Sequence, residues 1–151
     1  MAETMTSTAA ALAGMDEGWD AFHGRVTAIP TERLSSRISD DSWTLKQMLG
    51  HITAWHDLAV ERLAKFASSG EPVELEEHED VINARAARAA EGRTTGEVLL
   101  AMADSYRRLR REVSNLSDAQ LAAHDGWAAE IVAVNTSGHY ADHLADLDAG
   151  R

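Results

Sequence analysis

Apolar residues recur at alternating spacings of three and four along four long stretches of the chain, the pattern of helices that bury one face. In the first stretch this stripe contains Leu12, Met15, Trp19, Phe22 and Val26. The four predicted helices cover approximately residues 7–29, 43–68, 94–116 and 127–148. The second helix carries two adjacent apolar rows, which gives it the broad buried face that a bundle helix requires.

Helix boundaries follow from the residues around these stripes. Pro30 ends the first helix, and Asp41 or Ser42 caps the second. The connection from 70 to 94 holds a short predicted helix closed by Gly92, and its length argues against a simple up-down-up-down order. Residues 122–126 read as a loop before the last helix.

The fold class predicted from this order is all-α: a four-helix bundle with an additional short helix in the long connection between helices 2 and 3. We expect residues 1–151 to form a single domain with about the first eight residues disordered. Gly138 inside the last helix is a candidate for close approach to a neighbouring helix.

Composition and charge exclude several functions. The chain has no cysteine, so it has neither disulfides nor a thiolate site. Its net charge of −11 disfavours binding to nucleic acid or to anionic lipid. No apolar run approaches the length of a membrane span, and no basic segment precedes an apolar one near the N-terminus, so we expect a cytoplasmic protein.

Histidines are the residues whose positions suggest chemistry. His139 and His143 lie four apart on one predicted helix, so both imidazoles share a face and can chelate one ion. His51 lies on the buried face of helix 2 and completes a three-nitrogen site if the two helices are neighbours. Three imidazoles leave a coordination position open, as in a catalytic zinc site. HxxxH also occurs in helices by chance, so spacing alone is a weak signal.

Other polar residues could support such a site. Asn135 and Asp142 are candidates to orient the ligand imidazoles, although for Asp142 we favour ordinary surface polarity. His56 falls on the apolar stripe of helix 2, where it is either a core histidine or a proton carrier near the site, and we favour the core role.

The remaining charged and aromatic groups have simpler interpretations. The acidic run 74–80 is typical of a solvated helix start, and the arginines at 107–111 are typical surface partners of carboxylates. The four residues 124–127 form a bundle-end loop that could lie near the site mouth. His23 and His78 are predicted to lie at the surface. Four aromatic residues could line a pocket but are more typical of the core: Trp43, Trp55, Trp127 and Tyr140.

Two short segments resemble motifs of the DinB-like superfamily. Residues 41–55 read DSWTLKQMLGHITAW, in which a histidine follows a tryptophan by eight residues. Residues 135–144 read NTSGHYADHL, which is similar to the closing motif of the superfamily and, more narrowly, of its DfsB/ClbS-like branch. Residues 81–84, after the acidic run, also resemble that branch.

The resemblance implies a DinB-type bundle, commonly a homodimer, in which His51, His139 and His143 bind a divalent transition metal, zinc or nickel. It implies hydrolysis of a small molecule or a transfer that uses an external low-molecular-weight thiol. The alternatives are a non-catalytic protein that sequesters a small molecule for self-protection, and a structural dimerisation module. A shared fold does not by itself supply a reaction.

Overall fold

A computed structural model describes residues 7–37 and 43–149 of the chain. Its helices are α1 (Thr8–Thr27), α2 (Leu45–Ser69), α3 (Glu79–Glu91), α4 (Thr95–Ser114), α5 (Asp118–Asn135) and α6 (Ser137–Ala149), with a 3-10 turn at Thr31–Arg33. Within this described part no residue lies in a strand, and Arg37 and Thr44 form one isolated bridge. The prediction of an all-α bundle with a short helix between the second and third long helices is confirmed.

Capping boxes fix the starts of three helices. In each box the cap side chain accepts from the N3 backbone N–H, and the N3 side chain accepts from the cap backbone N–H. The pairs are Thr44 with Gln47, Thr94 with Glu97, and Ser117 with Gln120. The predicted caps Asp41 and Ser42 lie outside the described residues, and α2 begins two residues later than expected.

The first turn of α1 is tied to the rest of the bundle. Ser7 caps the helix, and the Thr8 backbone N–H donates to Asp118 Oδ1 at 2.8 Å. Ser7 and Thr8, at the end of the segment of about eight residues expected to be disordered, therefore form the start of α1, while residues 1–6 lie outside the described part of the chain.

Contacts between helices set their relative directions. Pairs on α1 and its neighbours are Thr8 with Leu116, Asp16 with Arg110, Gly18 with Ser137, and Arg25 with Asp148. Helix α4 therefore runs antiparallel to α1, and α6 runs parallel to α1. Lys46 lies beside Arg93 and Asp57 beside Arg108, so α2 and α4 run in the same direction. The directions of α1, α2, α4 and α6 are therefore up, down, down and up. The parallel arrangement of α2 and α4 is possible because the connection between them, which contains α3, is long.

The predicted last helix is divided in two. Thr136 adopts φ −127° and ψ −100°, which ends α5 and starts α6 in a new direction. The Asn135 and Thr136 side chains donate to the carbonyl oxygens of Ile131 and Val132, the kind of back-bonding that bends helices. A Cβ on Gly138 would lie 3.1 Å from the Ala133 carbonyl oxygen, so the glycine allows the tight passage from α5 to α6.

Small residues bring α3 against the start of α2. A Cβ on Gly50 would lie only 2.7 Å from the Ala90 Cβ, so the two helices approach too closely for a larger residue there. Gln47 donates to Glu91 at 2.6 Å and holds the end of α3 in place. This packing brings the first turns of α3, including Asn83, beside His51.

Among the described residues, no helix combines the length and the apolar character needed to cross a membrane.

Candidate metal centre

The three predicted histidines meet at the junction of α2 and α6. His139 Nε2 lies 2.8 Å from His51 Nε2 and 3.0 Å from His143 Nε2. One nitrogen of each ring lies within 4.8 Å of the other two. The break at Thr136 starts α6 just before His139, so both histidines of the HxxxH pair face α2.

Asn83 determines which nitrogen of His51 carries the proton. Its Oδ1 lies 2.7 Å from Trp55 Nε1 and 2.9 Å from His51 Nδ1. An indole N–H can only donate, so the Asn83 atom facing Trp55 is the carbonyl oxygen. The neutral His51 ring must therefore donate from Nδ1, which leaves a lone pair on Nε2 toward the other histidines.

His143 is oriented in the same way by a carboxylate. Its Nδ1 lies 3.2 Å from Asp146 Oδ2, and an ionised carboxylate only accepts, so Nδ1 carries the proton. Asp142 is exposed and acts on His143 through its charge alone, in agreement with its predicted role as a surface residue.

A neutral His139 cannot donate a hydrogen bond to both His51 and His143. The His51 and His143 Nε2 atoms both present lone pairs, and a neutral His139 ring offers at most one proton from Nε2. At least one of the two short N···N contacts is then a repulsion between lone pairs. His139 Nδ1 is also buried and has no hydrogen-bond partner among the described residues. A cation held by His51, His139 and His143 would remove the repulsion.

Burial keeps the three rings neutral. Burial is the main cause that lowers the pKa of His51 to about 4 and of His139 to about 3, with additional lowering from the neighbouring histidines. Burial also lowers the pKa of His143, although the Asp146 carboxylate opposes it. Neutral imidazole is the form that binds metals, so the site is ready for an ion at neutral pH.

This donor set fits a divalent transition metal. Imidazole nitrogen is a ligand for zinc, nickel, copper and iron(II). Bonds of 2.0–2.1 Å at tetrahedral angles separate neighbouring nitrogens by roughly 3.3 Å. The contacts of 2.8 and 3.0 Å must therefore open by a few tenths of an ångström around an ion.

His56 belongs to a separate buried chain of hydrogen bonds. Ser105 donates to the Met102 carbonyl oxygen and accepts from His56 Nδ1 at 2.7 Å, so His56 Nε2 accepts from the Tyr140 hydroxyl at 2.6 Å. The ring is fully buried, and burial lowers its pKa to about 3. The structure places His56 in the core, hydrogen-bonded to its neighbours.

An open cavity of about 350 Å³ adjoins the histidines. A volume of this size is in the lower range of small-molecule sites. Its lining residues come from α2, α3, α5, α6 and the loop after α2: His51, Trp55, Arg62, Leu75, Glu79, Asn83, Val134, Asn135 and His139. The cavity therefore gives a small molecule access to two of the three candidate ligands.

Two predicted neighbours of the site do not contact the three histidines. Asn135 lines the cavity, but its amide donates to the Ile131 carbonyl oxygen and no hydrogen bond joins it to the three histidines in the described chain. His124 donates to the Gly70 carbonyl oxygen at the far end of α2 from His51, so the loop 124–127 is not at the histidine cluster. Asn83 and Asp146 are the orienting residues that the sequence prediction missed.

The other predicted residues have structural roles. Three of the arginines at 107–111 pair with carboxylates as expected: Arg107 with Asp104, Arg108 with Asp57, and Arg110 with Asp16. His78 is exposed and caps α3. His23 is half-buried against Trp19, with ring centroids 4.7 Å apart, and is less exposed than predicted.

The family model of the DinB superfamily matches residues 15–147, which is most of the chain. The chain belongs to the DinB superfamily. Membership confirms the resemblance seen in the two sequence motifs at the level of the superfamily. The assignment of this DinB-superfamily chain to the DfsB/ClbS-like branch stays a prediction.

A solved structure has the same fold as this DinB-superfamily chain. It is the crystal structure of an uncharacterised protein from Escherichia coli UTI89, with a TM-score of 0.77 and 16% sequence identity. The likeness covers 95% of this chain and 91% of the other. At that identity it shows the fold alone. No curated protein matches the chain.

Proposed function

We propose that this protein is a metal-dependent enzyme that acts on a small organic molecule by hydrolysis or by thiol transfer. The observation that carries the proposal is the convergence of three Nε2 atoms, two of them fixed as lone-pair donors, at the wall of an open cavity. His51, His139 and His143 would hold the ion, with zinc or nickel as the expected metal.

Each part of the site has a distinct task in this proposal. A bound divalent metal supplies Lewis acidity and activates a nucleophile at neutral pH. Asn83 and Asp146 hold two ligand rings in the binding tautomer. The cavity positions the substrate beside His51 and His139. The chain has no cysteine, so a thiol nucleophile comes from a separate small molecule.

A non-catalytic binding protein is the second candidate. The observation that favours it is the scarcity of acid–base groups: apart from the two histidines that would bind metal, the described residues that line the cavity include only Glu79 and Arg62 as ionisable groups. Such a protein would sequester its ligand and release it unchanged. Saturable stabilisation by a ligand without any product would support this candidate over the enzyme.

Metal stoichiometry tests the first step of the proposal. Protein prepared without chelator and incubated with zinc or nickel is expected to retain about one ion per chain after desalting. His139→Gln is expected to lose it, while His78→Asn, which changes an exposed histidine and keeps a capping side chain, is expected to retain it. Equal metal content in the His139→Gln variant and the parent protein would contradict the assignment of the ligands.

We also propose that the protein is a homodimer, as its resemblance to DinB-like proteins implies. Light scattering after size exclusion is expected to give twice the chain mass of 16.4 kDa. A mass of one chain across the micromolar range would contradict this.

A further inference from the structure

Arg62 is a half-buried arginine with no carboxylate partner among the described residues. The other two half-buried arginines among the described residues, Arg25 and Arg110, each pair with an aspartate. Four other arginines form close ion pairs: Arg85 with Glu77, Arg107 with Asp104, Arg108 with Asp57, and Arg110 with Asp16. Glu74 acts on Arg62 through its charge without forming an ion pair with it, and a partly desolvated charge that no carboxylate contacts is costly. Such groups are concentrated at functional sites.

Two contacts hold the Arg62 guanidinium in a defined orientation. Its Nε–H donates to the Val73 carbonyl oxygen at 2.9 Å, and its central carbon lies 5.5 Å from the centre of the Trp127 ring. The two terminal nitrogens form no hydrogen bond with a described residue. They therefore remain available as a planar, two-pronged donor, the geometry that matches a carboxylate.

Arg62 lines the same cavity as His51 and His139. It follows His51 by eleven residues on α2, which is about three turns and roughly 16 Å along the axis, so both residues lie on one face of the helix. Helix side chains lean toward the N-terminus, which brings the guanidinium back toward the histidines. Trp55, Leu75 and Val134 supply apolar surface to the same cavity.

We propose that this cavity binds an elongated small molecule that carries one carboxylate, with the carboxylate on the terminal nitrogens of Arg62 and the opposite end beside His51 and His139. The assignment of that opposite end as the reacting end rests on the proposed function. The acidic Glu79 lines the cavity, and the charge of Glu74 reaches Arg62. A single negative charge is therefore accepted more easily than the double charge of a phosphate monoester.

Arg62 is called the carboxylate anchor below. Binding of carboxylates to metal-free protein tests this anchor independently of any metal. The probes are octanoate and octanamide, which share a chain and differ in the charged group, and the readout is the indole N–H signals of Trp55 and Trp127 in NMR titrations. Octanoate is expected to bind about tenfold more tightly than octanamide, because a charge-assisted pair is stronger than a neutral one. Equal affinities, or no binding of octanoate, would overturn the proposal.

Variants test whether the preference for octanoate over octanamide depends on Arg62. Arg62→Gln keeps a donor for the Val73 carbonyl oxygen but removes the charge, so the preference for octanoate is expected to disappear. Arg88→Gln makes the same charge change at an exposed residue that does not line the cavity, and the preference is expected to persist. A preference that survives in Arg62→Gln contradicts the anchor. Glu79→Gln, at an exposed position, is expected to tighten octanoate binding, and unchanged or weaker binding in that variant also counts against the proposal.

A zinc-loaded experiment separates this proposal from the proposed function. Suberic monohydroxamate carries a metal-binding group at one end and a carboxylate at the other, and octanohydroxamate lacks the carboxylate. The carboxylated probe is expected to bind about tenfold more tightly in the parent protein but not in Arg62→Gln. Both probes are expected to weaken in His139→Gln. If octanoate depends on Arg62 while zinc does not bind, the anchor stands and the metal proposal fails.

Discussion

Replacing Asn83 with leucine removes the acceptor shared by Trp55 and His51. Asn83 Oδ1 lies 2.7 Å from the indole nitrogen and 2.9 Å from His51 Nδ1, so both donors lose their partner in Asn83→Leu. The proton of His51 is then no longer confined to Nδ1. A fraction of the rings carries it on Nε2, where it blocks metal binding.

The size of the effect follows from the burial of these donors. Leaving a buried donor unpaired costs about 1–3 kcal/mol, and Trp55 is only half-buried, so we expect the free energy of unfolding to fall by about 2–3 kcal/mol in total. Loss of an orienting partner weakens metal affinity by about 10–100-fold. This corresponds to about 1.4–2.7 kcal/mol of binding free energy.

Zinc titration against a competing chelator measures the affinity, and long-range ¹H–¹⁵N NMR of the metal-free protein reports the tautomer of His51. Asn83→Asp is the matched control because a carboxylate oxygen still accepts from both donors, and its zinc affinity is expected to equal or exceed that of the parent. Folded Asn83→Leu protein with zinc affinity within about threefold of the parent would refute the reasoning. A parent His51 protonated on Nε2 would refute it as well.

Four further predictions concern stability. Gly24→Ala is expected to stabilise the protein by about 0.5–1 kcal/mol, since an exposed interior helix position gains a better helix former and its Cβ meets no atom within 4 Å. Gly18→Ala is expected to destabilise it, because the new Cβ would lie 3.0 Å from the Ser137 Cα. Asp125→Gly is expected to stabilise by about 1 kcal/mol, because Asp125 adopts φ 57°, a left-handed conformation that glycine adopts at lower cost. In metal-free protein the free energy of unfolding is expected to fall as pH drops below about 6.5, because His56 stays neutral down to about pH 3 when folded but binds a proton near pH 6.5 when unfolded.

Thermal unfolding followed by circular dichroism checks the glycine and Asp125 variants, and equal melting temperatures for Gly24→Ala and Gly18→Ala would contradict the described contact between α1 and α6. Urea unfolding at pH 7 and pH 5 checks the last prediction. One such histidine contributes a slope of up to about 1.4 kcal/mol per pH unit. The free energy of unfolding of His56→Gln is expected to depend less steeply on pH than that of the parent protein. An unchanged pH dependence in this variant would contradict the buried neutral state of His56.

The helices were predictable because their signals are local. Apolar spacing, Pro30 and the Thr94–Glu97 box act within a few residues, so the sequence alone identifies α1, α2 and α4 with end errors of about two residues. The break at Thr136 was missed although a run of four residues common in loops marks it, Asn135 to Gly138, because the helical spacing on both sides suggested one continuous helix. It depends on side chains that bond back to helix carbonyl oxygens, and these also occur in unbroken helices.

The candidate site was predictable only in part for a related reason. The His139–His143 pair follows from helical spacing, whereas the addition of His51 needs the packing of α2 against α6, for which the family resemblance provided the clue. Asp146 follows His143 by three residues, a spacing that could have identified it. Asn83 lies 32 residues from His51 on a helix with a weak apolar pattern, so its contact depends on the tertiary structure.

Anomalous diffraction from crystals of the zinc-loaded protein tests the central claim most directly. The account predicts one peak at the zinc edge, about 2.0–2.1 Å from the Nε2 atoms of His51, His139 and His143. It also predicts that Asn83 still contacts His51 Nδ1. No peak at this position, or zinc bound only at other residues, would contradict the assignment of these three histidines as a metal centre.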